Sequence, residues 1–411
     1  VASNDIRVLV VSNEADRTGA PAIALDLIKW LKEHQPVKVI NVLMRDGALR
    51  SDFELTGKTY TWIPTDLNQP ERLHKRMGKL LIQRKHSDPG AWLTAILEKE
   101  RPDIIYFSTL VLGKYLQQVK KLPGQRIVSH VHELLPSLRQ LSNDHFVQTQ
   151  LLLSDSVIAC APIVAETLFD NFQLAPSKCT VIPEYIVPQP SGTSPVPLTE
   201  AEGLSGSDLV AVQKMQRVIE RGGHVIGIGG NPIHRKGFDL FPLLIKECKR
   251  HFADTPFHAI WIGCGEGSAA QVALDWDVKR LGLQDDVTLI PSVSMPVFRS
   301  ILGQLKVLTL LSREDPFPLV VLEAGLLGVP TVCFEGSGAI PELAAEGCCV
   351  CVNYLDLPAF AEAVHRLCLQ TVEANKIAAR CQQKVREDLC LDKVAPQVAA
   401  VVLGASRQVQ G

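Results

Sequence analysis

Short apolar runs alternate with longer amphipathic stretches along most of this chain, the pattern of a parallel sheet covered by helices. In the first half the runs fall at residues 6–11, 37–43, 104–107, 127–130, 156–160 and 179–182. Each is nearly continuous in apolar side chains, as a strand buried on both faces requires. Between the first two runs, positions 23, 24, 25, 27, 28 and 31 are apolar, close to the helical period of 3.6, so a helix is expected over 20–33. A stretch rich in Pro, Ser and Gly at 188–197 breaks the alternation as an interdomain connection does. Six more runs follow at 224–228, 258–263, 287–290, 307–311, 331–334 and 349–352. The expected fold is therefore α/β, with two Rossmann-like, doubly wound domains facing across a cleft and ligands beyond the carboxyl ends of the strands. Expected boundaries are 1–187 for the N-terminal domain, 188–223 for the linker and domain entry, 224–390 for the C-terminal domain and 391–411 for a terminal segment. A helical stretch over 357–403 is expected to cover the second sheet.

Composition narrows the picture. A chain of 411 residues suits two domains, and 46% hydrophobic against 21% charged residues describes a folded protein. The net charge of −2 does not advertise nucleic acid as a partner. The eleven cysteines lie mostly in apolar stretches, where reduced cysteine is a small hydrophobe, and this points to a reducing, cytoplasmic location. Cys348 and Cys351 form the one C-x-x-C spacing, on a run that reads as a strand, and are assigned to packing in preference to zinc. No apolar stretch is long enough to span a membrane and none reads as a signal core. The segment 72–86 concentrates Arg72, Lys75, Arg76, Lys79, Arg84 and Lys85 and ends at His86. It reads as a solvated helix, or as a basic face for peripheral contact with an anionic membrane or an acidic or lipid-linked acceptor.

The segment 312–325 is the most informative. It places Glu314 and Asp315 after a buried strand, then Phe317-Pro318-Leu319, then Glu323 on an apolar run that Gly328 and Pro330 stop. Pro318 suits the first position of a helix, whose unpaired N–H groups and positive dipole end favour a phosphate. Glu323 sits about 7 Å further along the axis, placed for a group attached to that phosphate such as a ribose, while Asp315 faces a sugar. The plainer alternative is a solvated loop followed by an ordinary helix. In 227–239, glycines again follow a strand, and Asn231, Arg235 and Lys236 offer polar and positive groups to a diphosphate. Gly263 ends another strand and could wall the same pocket. In the first half, His130 and His132 end a strand, and His132 is the candidate for a sugar hydroxyl. A metal pair on these two histidines lacks a locatable third ligand, and no metal is expected. Gly19, between the first strand and its helix, permits close backbone approach to a ligand.

The 312–325 segment resembles the paired-acid motif of retaining glycosyltransferases of family 4 (glycosyl transferases group 1), which have the GT-B fold. Aligned on Ser312 and Phe317-Pro318, the first acid falls on Asp315, one methylene shorter than the family's glutamate and with Glu314 beside it. The second falls on Glu323. The resemblance implies that Asp315, with Glu314, contacts the donor sugar's hydroxyls and that Glu323 holds the ribose. Lys236-Gly237 matches the family's diphosphate-binding lysine, whereas Asn231 stands where the family has arginine. His132 matches the histidine that faces the donor sugar, and the Gly19 loop borders donor and acceptor. Implied are transfer of a sugar from a nucleotide diphosphate donor to a glycan or lipid-linked acceptor, no cofactor, and a C-terminal segment crossing back to the first domain. Two alternatives stay open: a nucleotide-sugar or glycan-binding protein of this fold without turnover, and a nucleotide-dependent epimerase or oxidoreductase. The latter would need a full Gly-x-Gly-x-x-Gly after the first strand, which 12–19 does not supply.

Overall fold

A computed structural model describes residues 5–63, 88–188, 198, 203–204 and 206–404. The basic segment 72–86 and nearly all of the 188–197 connection lie outside the described residues. The chain divides into two compact units, Val1–Glu184 with Leu391–Gly411, and Tyr185–Cys390.

The first unit is built on a parallel sheet of β1 (Ile6–Ser12), β2 (Val37–Leu43), β3 (Lys58–Thr61), β4 (Ile104–Phe107), β5 (Arg126–Val131), β6 (Ser156–Ala159) and β7 (Cys179–Val181). Their spatial order is β3-β2-β1-β4-β5-β6-β7. Helices α1 (Gly19–His34), α2 (Arg50–Thr56), α3 (Pro89–Glu100), α4 (Leu135–Leu141), α5 (Asp144–Leu153) and α6 (Pro162–Phe172) lie between the strands in sequence. β3 was not expected. Its sequence, Lys-Thr-Tyr-Thr, is short and polar, and among the described residues it pairs on one side only, with β2, at the edge of the sheet.

The second unit begins with α7 (Gly206–Glu220), a helix within the stretch expected as linker and domain entry; it packs on β10. Its sheet comprises β8 (His224–Gly229), β9 (Phe257–Ile262), β10 (Val287–Ile290), β11 (Val307–Leu310), β12 (Thr331–Phe334) and β13 (Val350–Val352), in the parallel order β10-β9-β8-β11-β12-β13. Helices α8 (Phe241–His251), α9 (Ala269–Arg280), α10 (Met295–Leu302), α11 (Leu319–Leu326), α12 (Ile340–Ala345), α13 (Leu357–Leu369) and α14 (Thr371–Asp388) cover it. The helical C-terminus divides: α13 packs on α8 and α14 on α11, whereas α15 (Leu391–Leu403) packs on α1 and β6 of the first unit. There the Arg126 guanidinium donates to the Val401 carbonyl at 2.9 and 3.2 Å.

In each sheet the strand order reverses once, between β1 and β4 and between β8 and β11. Loops leaving neighbouring strands at such a point diverge to opposite faces and open a crevice beyond the strand ends. The loops after β8 and β11 hold Asn231, Arg235, Lys236, Glu314 and Asp315, while Gly263 follows β9 and Glu323 lies in α11.

Candidate active site

In the second unit, two loops are joined backbone to backbone. The β8 loop passes through a 3-10 turn at His234–Lys236. Its Arg235 carbonyl accepts the N–H groups of Arg313 at 2.7 Å and Glu314 at 3.3 Å. The Arg235 guanidinium returns a bond to the Glu314 carbonyl at 2.9 Å, so this side chain acts as a strut between the loops. Arg313 completes the joint with two 2.8 Å bonds to Asp239. Gly237 has φ +71° and lies against the Leu311 carbonyl at the end of β11, a place with no room for a Cβ.

The join brings Lys236 to Asp315. The Lys236 ammonium donates to Asp315 Oδ2, which also accepts the Ser312 hydroxyl at 3.3 Å. Asp315 is only 5% exposed, and the Lys236 side chain is 17% exposed, so the pair borders solvent from within the loop junction. A second contact positions the Asp315 backbone: its N–H donates to the Ser337 carbonyl, and it forms a parallel bridge with Gly338. Glu314 is also buried. Asn231 is exposed at the mouth of the β8 loop, and Gly263 packs its backbone against Gly230, whose carbonyl accepts from the Trp261 indole at 2.9 Å.

Pro318 is the N-cap of α11, not its first residue, with φ −78° and ψ 93°; the helix starts at Leu319. Phe317 is half-buried against the core below. No acidic residue stands in the first turn of α11 to answer its dipole. One turn on, the buried Glu323 receives a bidentate pair from Arg299 of α10, at 2.7 and 2.9 Å. A carboxylate so clamped keeps lone pairs for hydroxyl donors and has a fixed orientation. Arg299 escaped the sequence reading, because a single cation in an amphipathic helix gives no signal of its partner 24 residues away.

In the first unit, His132 lies just past β5. Its Nδ1 bonds Glu184, and its Nε2 is buried with no partner among the described residues. Burial acts to lower the His132 pKa, but the charge and hydrogen bond of Glu184, with Glu133 adding, outweigh it and raise the value. Glu133 moves upward too, chiefly by desolvation, and bonds the Thr109 hydroxyl. His130 has a different part: Tyr106 Oη lies 2.7 Å from its Nδ1, and burial with the neighbouring His132 charge drives its pKa well down. The donor atoms that cluster within 4.8 Å here belong to His132, Cys160 and Glu184, not to a His130–His132 pair. Glu184 also escaped the sequence reading, since it follows β7, 52 residues beyond its partner. Gly19 is the first residue of α1, exposed, and a Cβ there would meet nothing among the described residues, so no packing there requires glycine. Thus Lys236, Arg235, Asp315 and Glu314 are joined in one loop pair, with Asn231 and Phe317 to Leu319 on the same two segments. His132 and Gly19 belong to the other unit.

Residues 18–189 match the family model for Glycosyltransferase Family 4, and residues 223–370 that for Glycosyl transferases group 1. The chain belongs to the family 4 glycosyltransferases. Solved structures agree on the fold across nearly its whole length. HepE from Anabaena, in complex with UDP-glucose, is 18% identical with a TM-score of 0.71 and covers 97% of this chain and 100% of its own. Sucrose-phosphate synthase from Thermosynechococcus elongatus is 14% identical with a TM-score of 0.72, over 98% of this chain and 100% of its own. WaaG, a glycosyltransferase involved in lipopolysaccharide biosynthesis, is 12% identical with a TM-score of 0.67, over 97% and 100%. No curated protein matches this family 4 glycosyltransferase in sequence. Its fold is GT-B, and among its described residues no helix is long and apolar enough to cross a membrane.

Proposed function

We propose that this family 4 glycosyltransferase is a retaining hexosyltransferase that moves a sugar from a nucleotide diphosphate sugar to an acceptor hydroxyl in polysaccharide or glycoconjugate synthesis. The observation that carries the reading is the Lys236–Asp315 pair at the reversal point of the second sheet, with a helix N-terminus and a clamped glutamate beside it.

The donor's diphosphate takes the Lys236 ammonium and the start of α11, which stabilise negative charge as the bond to the sugar breaks. Lys236 then shares its charge with the phosphate, and the Asp315 carboxylate turns to the sugar hydroxyls and the positive charge developing on the ring. Glu323, held by Arg299, accepts from the ribose. His132, whose pKa Glu184 raises, offers Nε2–H to a sugar hydroxyl when protonated. Retention follows from attack on the face the diphosphate leaves: the acceptor oxygen bonds the anomeric carbon, the carbon–oxygen bond to phosphate breaks, and the acceptor's proton passes to the departing phosphate. The complex of HepE with UDP-glucose makes that donor the first to test. The composition of 72–86 supports an acidic or lipid-linked acceptor and a peripheral membrane surface on the cytoplasmic side.

Asn231, with Arg235 tied to Glu314, leaves Lys236 as the principal cation for the diphosphate, and this favours a second reading in which the site binds without turnover. Incubation with UDP, GDP, ADP and dTDP sugars separates the two. Nucleotide release, with a product of the donor's anomeric configuration by NMR, supports transfer with retention. Stabilisation by a donor without release supports the binding module, and inverted product removes the proposed stereochemistry.

A further inference from the structure

Five of the eleven cysteines gather beside the end of the second sheet. Cys333 on β12 and Cys351 on β13 are register partners in the parallel ladder, with their sulfurs 3.6 Å apart. Cys349 stands two residues before Cys351, in the bend that leads into β13. All three sulfurs lie within 4.8 Å of one another. Cys348 and Cys381 of α14 belong to the same buried cluster as Cys333 and Cys349. The sequence reading gave these residues to core packing, which valine would serve as well, as at Val332, Val350 and Val352 in the same two strands.

We propose that Cys333, Cys349 and Cys351 form a trithiolate site for a soft, thiophilic cation, and that Cu(I), which is satisfied by few sulfur ligands, matches the donor set. Softness of the ligands excludes Mg²⁺ and Ca²⁺, which take oxygen. β13 is the edge strand and Cys351 is partly exposed, so an ion has an approach, while Cys333 and Cys349 close the site from the core side. On binding, three sulfur–metal bonds form, the three thiol protons leave to solvent, and the metal keeps its oxidation state. The proposal is independent of the transferase reading, since neither Lys236 nor Asp315 takes part.

The test is an anaerobic titration of the reduced full chain with Cu(I) against a competing chelator, with Zn(II) in a parallel arm. Wild type is expected to bind one equivalent of Cu(I) with only sulfur in the first shell by X-ray absorption. Because loss of a mere outer partner already weakens metal sites about 10- to 100-fold, Cys349→Ser and Cys351→Ser are expected to weaken binding by at least ~10-fold. Cys179→Ser, altering a cysteine of the other unit, leaves it unchanged. Zn(II) bound by sulfur alone with preference over Cu(I) overturns the choice of ion. No uptake, uptake unaltered by Cys351→Ser at the partly exposed edge, or nitrogen and oxygen in the wild-type shell overturns the site. The wild-type spectrum decides the matter even if a variant fails to fold.

Discussion

Two buried carboxylates in this protein owe their orientation to partners the sequence does not announce. Glu323 is held by Arg299, and removing the guanidinium leaves a buried charge unpaired, a change that typically costs about 3–5 kcal/mol. Arg299→Ala is therefore expected to lower the unfolding free energy in urea by that order and to raise the donor KM. Arg299→Leu with Glu323→Leu should recover most of the stability and none of the donor affinity, and equal stability of wild type and Arg299→Ala would refute the clamp. Glu184 and His132 give a pH signature. A raised His132 pKa means that the ion pair's contribution is fully present below the ordinary imidazole value of about 6.5 and is lost as pH rises through the raised value. If the cation orients substrate, kcat/KM falls along the same alkaline limb, and Glu184→Gln moves that limb to lower pH; an unmoved limb would count against the role. His130 works in the opposite sense. Its pKa lies well below the unfolded value, so its stability is lost as pH falls through about 6.5, and His130→Asn should flatten the decline in urea stability between about pH 6.5 and 5. These pairings were illegible because they join residues far apart in sequence, whereas Asp315 and Lys236 were singled out as candidates from motif spacing.

At the scale of elements, apolar runs gave the positions of the buried strands within a residue or two, because burial on both faces leaves little choice of side chain. β3 was missed for the converse reason: an edge strand can be polar. The glycines show what a run cannot. Gly338 has φ +149° and lies directly against the Asp315 carbonyl, so any side chain there displaces the backbone that carries the carboxylate. Gly338→Ala is expected to reduce kcat strongly while far-ultraviolet circular dichroism stays native, and full activity would show that the bridge does not position Asp315. A Cβ on Gly325 would run into the Cys381 sulfur where α11 meets α14, and Gly325→Ala should overpack that contact, costing about 1–3 kcal/mol. A denaturation midpoint at or above that of wild type would contradict it.

For the whole molecule, alternation of strands and helices was enough to read two doubly wound sheets, since a parallel strand needs a crossover and the crossover needs a helix. The allocation of α15 was less visible. Its apolar face, Val394, Ala395, Val398, Ala399 and Val402, fits a sheet cover in either unit, and only contacts with α1 and β6 assign it to the first. The central claim is that Lys236 and Asp315 handle the donor's diphosphate and sugar. It is tested most directly by nucleotide release from UDP-, GDP-, ADP- and dTDP-glucose, measured side by side for wild type, Lys236→Ala and Asp315→Asn. The account predicts release by wild type from at least one donor and a loss of about 100-fold or more in both variants, the scale seen when a group stabilising transition-state charge is removed. Release at the wild-type rate by both variants would contradict it.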